Sequence, residues 1–264
     1  MRYVFFLSTL ALMSGCGIFQ RGPPPRSPQP APAGIPEPAT SPSAEPLSRY
    51  GNPESYDVFG KRYYPLKSAA NYRERGIASW YGKDFHGALT STRETYDMYK
   101  MTAAHKILPL PTWVEVTNLA NGRKAVLRVN DRGPFKDNRV IDLSYAAALK
   151  LDVVETGTAF VEVRALTNFA AAGSPSMQIP NEASVPMFLQ IGAFGERANA
   201  ERLKARVELE FTDDIRILAE PPNAPRLYKV QLGPIRDVAH ADQAVLTLEE
   251  LGITEHHFVN RVEQ

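Results

Sequence analysis

The chain has 264 residues, 44% hydrophobic and 22% charged, a balance that suits packed domains and excludes a wholly disordered protein. Its 30 basic and 29 acidic residues leave a net charge of +1, which excludes a global field drawing it to nucleic acid. Cys16 is the one cysteine, so no intramolecular disulfide forms and each folded part depends on its core.

Arg2 precedes an apolar run over residues 3–13, and Ser14 and Gly15 place two small residues before Cys16. A positive start, a short apolar stretch and small residues at its end make a secretory signal. The run is too short to span hydrocarbon comfortably, which takes about 20 residues. A cysteine at the cut resembles the lipobox of bacterial lipoproteins, with Met13 where leucine is usual. The resemblance implies cleavage before Cys16 and its lipidation, palmitate included. Gly17 stands where an aspartate would imply retention at the inner membrane, so the periplasmic face of the outer membrane is expected. The alternative is a short membrane anchor with an incidental thiol. Residues 17–48 are rich in Pro, Ala and Ser and cannot bury enough apolar surface to order themselves, which predicts an extended tether.

Residues 49–167 form the first globular segment. Alternating runs around Trp113, Val114 and Val116, around Ala125, Leu127 and Val129, and around Ala159, Val161 and Val163 predict short strands. Asn121-Gly122 between the first two predicts a hairpin turn. A helix is predicted over residues 143–151, with Asp142 or Ser144 as its cap. Many short strands with turn signals between them predict a small barrel. Metal binding has little support: the five histidines are scattered, and adjacent His256 and His257 point to opposite strand faces. No cofactor is expected.

Four strings stand in order in this segment: Gly76-Ile-Ala-Ser-Trp-Tyr-Gly82, Met101-Thr-Ala-Ala-His105, Val129-Asn-Asp-Arg-Gly-Pro134 and Arg139-Val-Ile-Asp-Leu-Ser144. Together they closely resemble the rare lipoprotein A family, septal lytic transglycosylases with a double-psi β-barrel. The resemblance implies cleavage of peptidoglycan between N-acetylmuramic acid and N-acetylglucosamine, leaving a 1,6-anhydro end. It places the family's catalytic or essential positions on Glu94, His105 and Asp131. Two positions where the family usually has glycine carry Arg93 and Lys100. A side chain there disfavours positive φ, so the loop bearing Glu94 is expected to take a different path.

The chemistry needs a proton for the leaving oxygen and stabilisation of an oxocarbenium-like centre. A carboxylic acid at a groove gives that proton and, as carboxylate, takes one back from the muramyl C6 hydroxyl. Water is not the nucleophile, so one carboxylate suffices. Asp131 is the expected acid/base, with Glu94 and His105 orienting sugar or tuning it. Trp80 and Tyr81 offer faces on which sugar rings stack, His86 sits in a glycine-flanked loop that can reach substrate, and Arg132 can pair with Asp131 or a substrate carboxylate. Bland readings stand beside these: an aspartate before Arg-Gly-Pro is often a turn former, Trp80 suits a core, and His86 suits solvent.

After a polar linker at residues 168–184, residues 185–264 repeat themselves. Gln190-Ile-Gly192-Ala-Phe194 recurs as Gln231-Leu-Gly233-Pro-Ile235, each after an alternating strand and before an amphipathic helix, over residues 197–210 and 239–251. Strands near residues 215–218 and 255–259 complete a βαββαβ, ferredoxin-like order. The pattern resembles the SPOR domain, a module that binds peptidoglycan glycan stripped of stem peptides at division septa. Gln190, Phe194, Tyr228 and Gln231 are the candidate glycan contacts on one sheet face. An RNA-binding reading of such a sheet exists, but export and the balanced charge disfavour it.

The expected protein is therefore multidomain: an all-β double-psi barrel followed by an α+β ferredoxin-like SPOR domain, lipid-anchored outside the cytoplasm. Its expected function is a lytic transglycosylase preferring peptide-free glycan, enriched at the division septum, with divisome proteins or wall amidases as possible partners. The alternatives are an expansin-like, non-catalytic wall-binding scaffold and a hydrolase that uses water.

Overall fold

The computed structural model describes residues 42–136, 138–166, 186–220 and 227–260. The expected signal, Cys16, most of the tether and the linker at residues 168–184 lie outside the described residues.

A two-stranded ribbon, β1 (Tyr56–Val58) and β2 (Lys61–Tyr63), precedes the barrel. Six strands then close on themselves: β3 (Arg73–Trp80), β4 (Thr102–His105), β5 (Thr112–Asn118), β6 (Lys124–Asp131), β7 (Arg139–Leu143) and β8 (Ala159–Ala165). Their order around the barrel is β3-β7-β4-β6-β5-β8. Two pairs are parallel, β3 with β7 and β4 with β6; the others are antiparallel. Alternation drives this closure. Ala125, Leu127 and Val129 of β6 point inward with Val114 and Val116 of β5 and Val161 and Val163 of β8, all in one buried core. Burying a Val or Leu side chain contributes about 1.5–3 kcal/mol, so a slip of one residue in any strand would forfeit several such contributions.

The β5–β6 hairpin forms as the sequence predicts, with Gly122 at φ 72°. The predicted helix is α1 (Tyr145–Leu151), capped by Ser144, whose hydroxyl accepts the Ala147 amide at 3.2 Å. Asp142, the other candidate cap, instead belongs to β7.

Two irregularities shape the functional end. Between β4 and β6 the register runs Ala103 to Val129, then Ala104 to Asp131, so Asn130 is an extra residue in β6. Such a bulge re-aims the side chain beyond it, here that of Asp131. On its other side Ala104 pairs with Asp142 of β7. Two aspartates thus flank one small residue of β4.

The C-terminal module contains β9 (Met187–Phe194), α2 (Arg197–Val207), β10 (Ile215–Ala219), β11 (Tyr228–Ile235), α3 (Val238–Glu250) and β12 (His257–Asn260). The sheet order β10-β11-β9-β12, antiparallel throughout, is the ferredoxin-like arrangement predicted. Ala200 and Val207 of α2 and Ala241, Ala244, Val245 and Leu248 of α3 pack onto it. Its core also takes in Ile77 of β3, and Phe160 of β8 meets Phe258 edge-on at 5.4 Å between ring centres. Asp242 of α3 pairs with buried Arg139 through two hydrogen bonds of 2.9 Å.

Candidate active site

Asp131 ends β6 half-buried, and three donors converge on one of its oxygens. Oδ1 accepts the Ser91 amide at 2.8 Å, the Ser91 hydroxyl at 2.6 Å and the Arg132 amide at 2.8 Å. Among the described residues no hydrogen bond reaches Oδ2. The carboxylate is therefore fixed in direction while its second oxygen stays available.

Ser91 is delivered by a small hairpin that runs along β6. Its rungs are Gly87 N to Tyr96 O, Tyr96 N to Ala88 O and Thr90 N to Glu94 O, and the turn closes by Arg93 N to Thr90 O. A three-residue loop of this kind takes a left-handed residue in third place, usually glycine. Arg93 occupies it at φ 71°, whereas Lys100 has no positive φ. The expected diversion of the loop is thus corrected: the arginine accepts the glycine-like geometry, and its guanidinium lies 5.6 Å from the centre of the Tyr50 ring.

The same hairpin carries Glu94, whose Oε2 accepts Arg128 Nη1 at 2.7 Å and Asn130 Nδ2 at 2.8 Å. Partial burial pushes its pKa up, but the donors from Arg128 and Asn130 together hold it below the usual carboxylate range. Glu94 is ionised at neutral pH, with 44% of its side chain exposed. One hairpin therefore joins Glu94 and Asp131 on the same stretch of β6.

His105 is placed differently. The residue is 1% exposed. Nδ1 accepts the amides of Ile107 at 3.2 Å and Leu108 at 3.0 Å, and Nε2 lies 2.8 Å from the Tyr72 hydroxyl, which in turn bonds Glu74. Two donors on Nδ1 put the ring proton on Nε2. Burial first, then Arg132 and Lys106, lower the pKa to about 3. A ring so enclosed cannot touch sugar. Of the two roles expected of His105, orienting sugar directly does not fit this burial; the ring instead holds the 105–108 loop.

This makes a pH prediction. The folded pKa lies below the ordinary value of about 6.5, so the stability tied to the neutral ring is complete above pH 6.5. It is lost as pH falls from about 6.5 toward 3, by up to about 1.4 kcal/mol per unit. Urea unfolding at pH 7, 5.5 and 4.5 is expected to show a shallower decline in His105→Gln than in the unaltered chain. Equal slopes would mean that His105 protonates freely in the fold.

The Arg132 guanidinium is likewise engaged within the fold. Nε donates to Gly51 O at 2.9 Å, Nη1 to Leu108 O at 2.5 Å and His105 O at 3.2 Å, and Nη2 to Asn52 Oδ1 at 3.2 Å. Its guanidinium is occupied with loop carbonyls, which corrects the carboxylate role expected of it. Trp80 packs on the barrel core and against Tyr145. Tyr81 stacks on Tyr96 at 4.2 Å, so one of its two faces is already covered. His86 is exposed and accepts the Met98 amide at 3.2 Å.

A third carboxyl group, besides Asp131 and Glu94, escaped the sequence reading. Asp142 faces the same end of the barrel from β7 and accepts the Ser79 hydroxyl. Burial raises its pKa, Ser79 and the cations Arg139 and Lys106 oppose that, and the charge of Asp131 adds to it. The charge of Asp131 thus bears on Asp142 across Ala104. The Arg-Val-Ile-Asp-Leu-Ser string carried the signal, but read as a helix cap it pointed elsewhere.

In the C-terminal module, Gln190 and Gln231 are paired in register on the sheet face opposite the helices. Arg216 lies 3.5 Å over the Phe188 ring and donates to Gln231 Oε1 at 2.8 Å. Phe194 and Tyr228 are corrected to the other side, where they pack against the core under the helices.

The family profile described as "Lytic transglycolase" matches residues 73–163, and that of the SPOR domain matches residues 183–257. An endolytic peptidoglycan transglycosylase RlpA of Pseudomonas aeruginosa is 38% identical over 80% of this chain and 77% of its own length. The chain belongs to the rare lipoprotein A family. Another member of that family, from Vibrio cholerae, is 57% identical over 48% of each chain. Among solved structures, the RlpA SPOR domain from Pseudomonas aeruginosa is similar at 26% identity, covering 28% of this chain and 96% of that one, with a TM-score of 0.26.

Proposed function

We propose that this member of the family is an endolytic transglycosylase that cuts peptidoglycan glycan strands between N-acetylmuramic acid and N-acetylglucosamine. Asp131 is the acid/base. Its free Oδ2 gives a proton to the leaving N-acetylglucosamine oxygen as the bond to the muramyl C1 breaks. It then takes the proton of the muramyl C6 hydroxyl as O6 closes on C1. Glu94, ionised beside Arg128, supplies negative charge near the developing oxocarbenium ion. His105 positions the loop beneath. Asp142 stands across Ala104 from Asp131, on the same end of the barrel. The observation that carries this reading is the clamp of three donors on one oxygen of Asp131, which orients the group before substrate arrives.

The C-terminal module binds glycan, with Gln190, Gln231 and Arg216 on the face away from the helices. Tethering a binder to a cutter raises the local substrate concentration to about millimolar. In this reading residues 1–16 are a lipoprotein signal ending at lipidated Cys16, the tether reaches from the outer membrane, and the module confines cutting to peptide-free glycan at the septum.

The test is the product. The chain beginning after residue 16 is incubated with peptide-free glycan, and the ends are read by mass spectrometry. Anhydro-muramyl ends are expected. Reducing ends would make it a hydrolase, and uncut strands would make it a scaffold.

A further inference from the structure

Arg128 holds two carboxylates at once. Nη1 grips Glu94 at 2.7 Å, while Nε and Nη2 form a fork on Glu45, with Nε to Oε1 at 3.0 Å and Nη2 to Oε2 at 2.8 Å. Glu45 Oε1 also accepts the Trp113 indole N–H at 2.8 Å. A guanidinium fork plus an indole donor is a site for a planar carboxylate; it offers nothing to an ammonium group. Its occupant comes from ahead of the barrel, out of residues that composition assigns to the tether. Among the described residues, no backbone hydrogen bond joins residues 42–47 to the barrel; the first is Ser48 N to Leu110 O at 2.8 Å. Glu45 is held by its side chain alone, which remains 28% exposed.

We propose that Arg128 and Trp113 form a subsite for a carboxylate of the substrate's muramyl residue, and that Glu45 fills it until substrate arrives. The inference rests on the glycan-cutting reading. In a strand alternating N-acetylglucosamine and N-acetylmuramic acid, acidic groups occur only on the muramyl unit, as the bare lactyl carboxylate or within an attached peptide. The subsite adjoins Glu94, and the Glu94 hairpin also clamps Asp131, so a carboxylate bound here fixes the muramyl sugar beside both acidic groups. An internal occupant lowers apparent affinity by the fraction of time the site is closed. For an ion pair that still meets solvent, as this one does, that amounts to about fivefold.

The experiment uses the indole N–H resonances of the chain beginning after residue 16. Two tryptophans give two signals, and Trp113→Phe assigns them. The chain and its Glu45→Ala and Glu45→Gln variants are titrated with N-acetylmuramic acid, muramyl dipeptide and N-acetylglucosamine. The Trp113 signal is expected to move saturably with a carboxylate sugar and not with N-acetylglucosamine. Both variants should saturate at about fivefold lower concentration. A response to N-acetylmuramic acid identifies the lactyl group as the ligand, and one confined to the dipeptide identifies a peptide carboxylate. Equal movement with N-acetylglucosamine, no movement with either acid, or unchanged saturation in both variants would overturn the proposal. Glycan left uncut while the signal moves would sink the transglycosylase reading and keep the subsite; cutting with a silent signal would do the reverse.

Discussion

Asp131→Asn is expected to lower turnover of peptide-free glycan by about a thousandfold, within the range of about 10²–10⁴ for loss of a general acid/base. The substitution is nearly isosteric, and an amide oxygen can still accept the Ser91 amide, the Ser91 hydroxyl and the Arg132 amide that Oδ1 accepts now. The local fold should therefore survive, with a melting temperature close to that of the unaltered chain. What is lost is the free oxygen that gives and regains a proton. Glycan binding by the C-terminal module, measured by co-sedimentation with peptide-free glycan, should be unchanged. Turnover within tenfold of the original would remove Asp131 from the acid/base role.

Arg132→Ala is expected to cost about 3 kcal/mol of stability. Four carbonyls, those of Gly51, His105, Lys106 and Leu108, and the Asn52 side chain converge on one guanidinium. A buried acceptor left without a donor costs about 1–3 kcal/mol, and partial access of water reduces the sum. In a folded portion of this size the melting temperature should fall by about 6–12 °C. Lysine should restore only part, because a single ammonium cannot reach all of these acceptors in the fork's geometry. A variant that melts normally and instead loses affinity for carboxylate sugars would return Arg132 to the substrate-binding role that its sequence position suggests.

These two neighbours show what sequence discloses and what it withholds. Alternation in β5, β6 and β8 was legible because one face of each strand is buried and the other is not. The duplicated strand–helix units and the turn at Gly122 were equally plain. The orientation of Arg132 was not, since nothing local announces that residues 51, 105 and 108 surround it. His105 reads as a lone polar residue at the end of a small, largely apolar string, and the barrel buries it with that string. The bulge at Asn130, which sets Asp131 and Asp142 on either side of Ala104, arises from pairing between strands distant in the chain. Arg93 breaks a local rule, and the hairpin holds it in left-handed geometry regardless. Glu45 is one acid in a proline-rich stretch until Arg128 and Trp113 are placed beside it.

Closure of the barrel has a kinetic consequence. β8, the last of the six strands, is the one that joins β3 to β5, so a chain emerging N-terminus first cannot complete the ring before about residue 165 has appeared. Until then β3 and β5 each present an unsatisfied row of amides and carbonyls. Searching for partners some 40 to 90 positions away makes assembly slow compared with a helical bundle of equal length. The hazard for this molecule is thus concentrated in its birth, and passes once the final strand has slotted home.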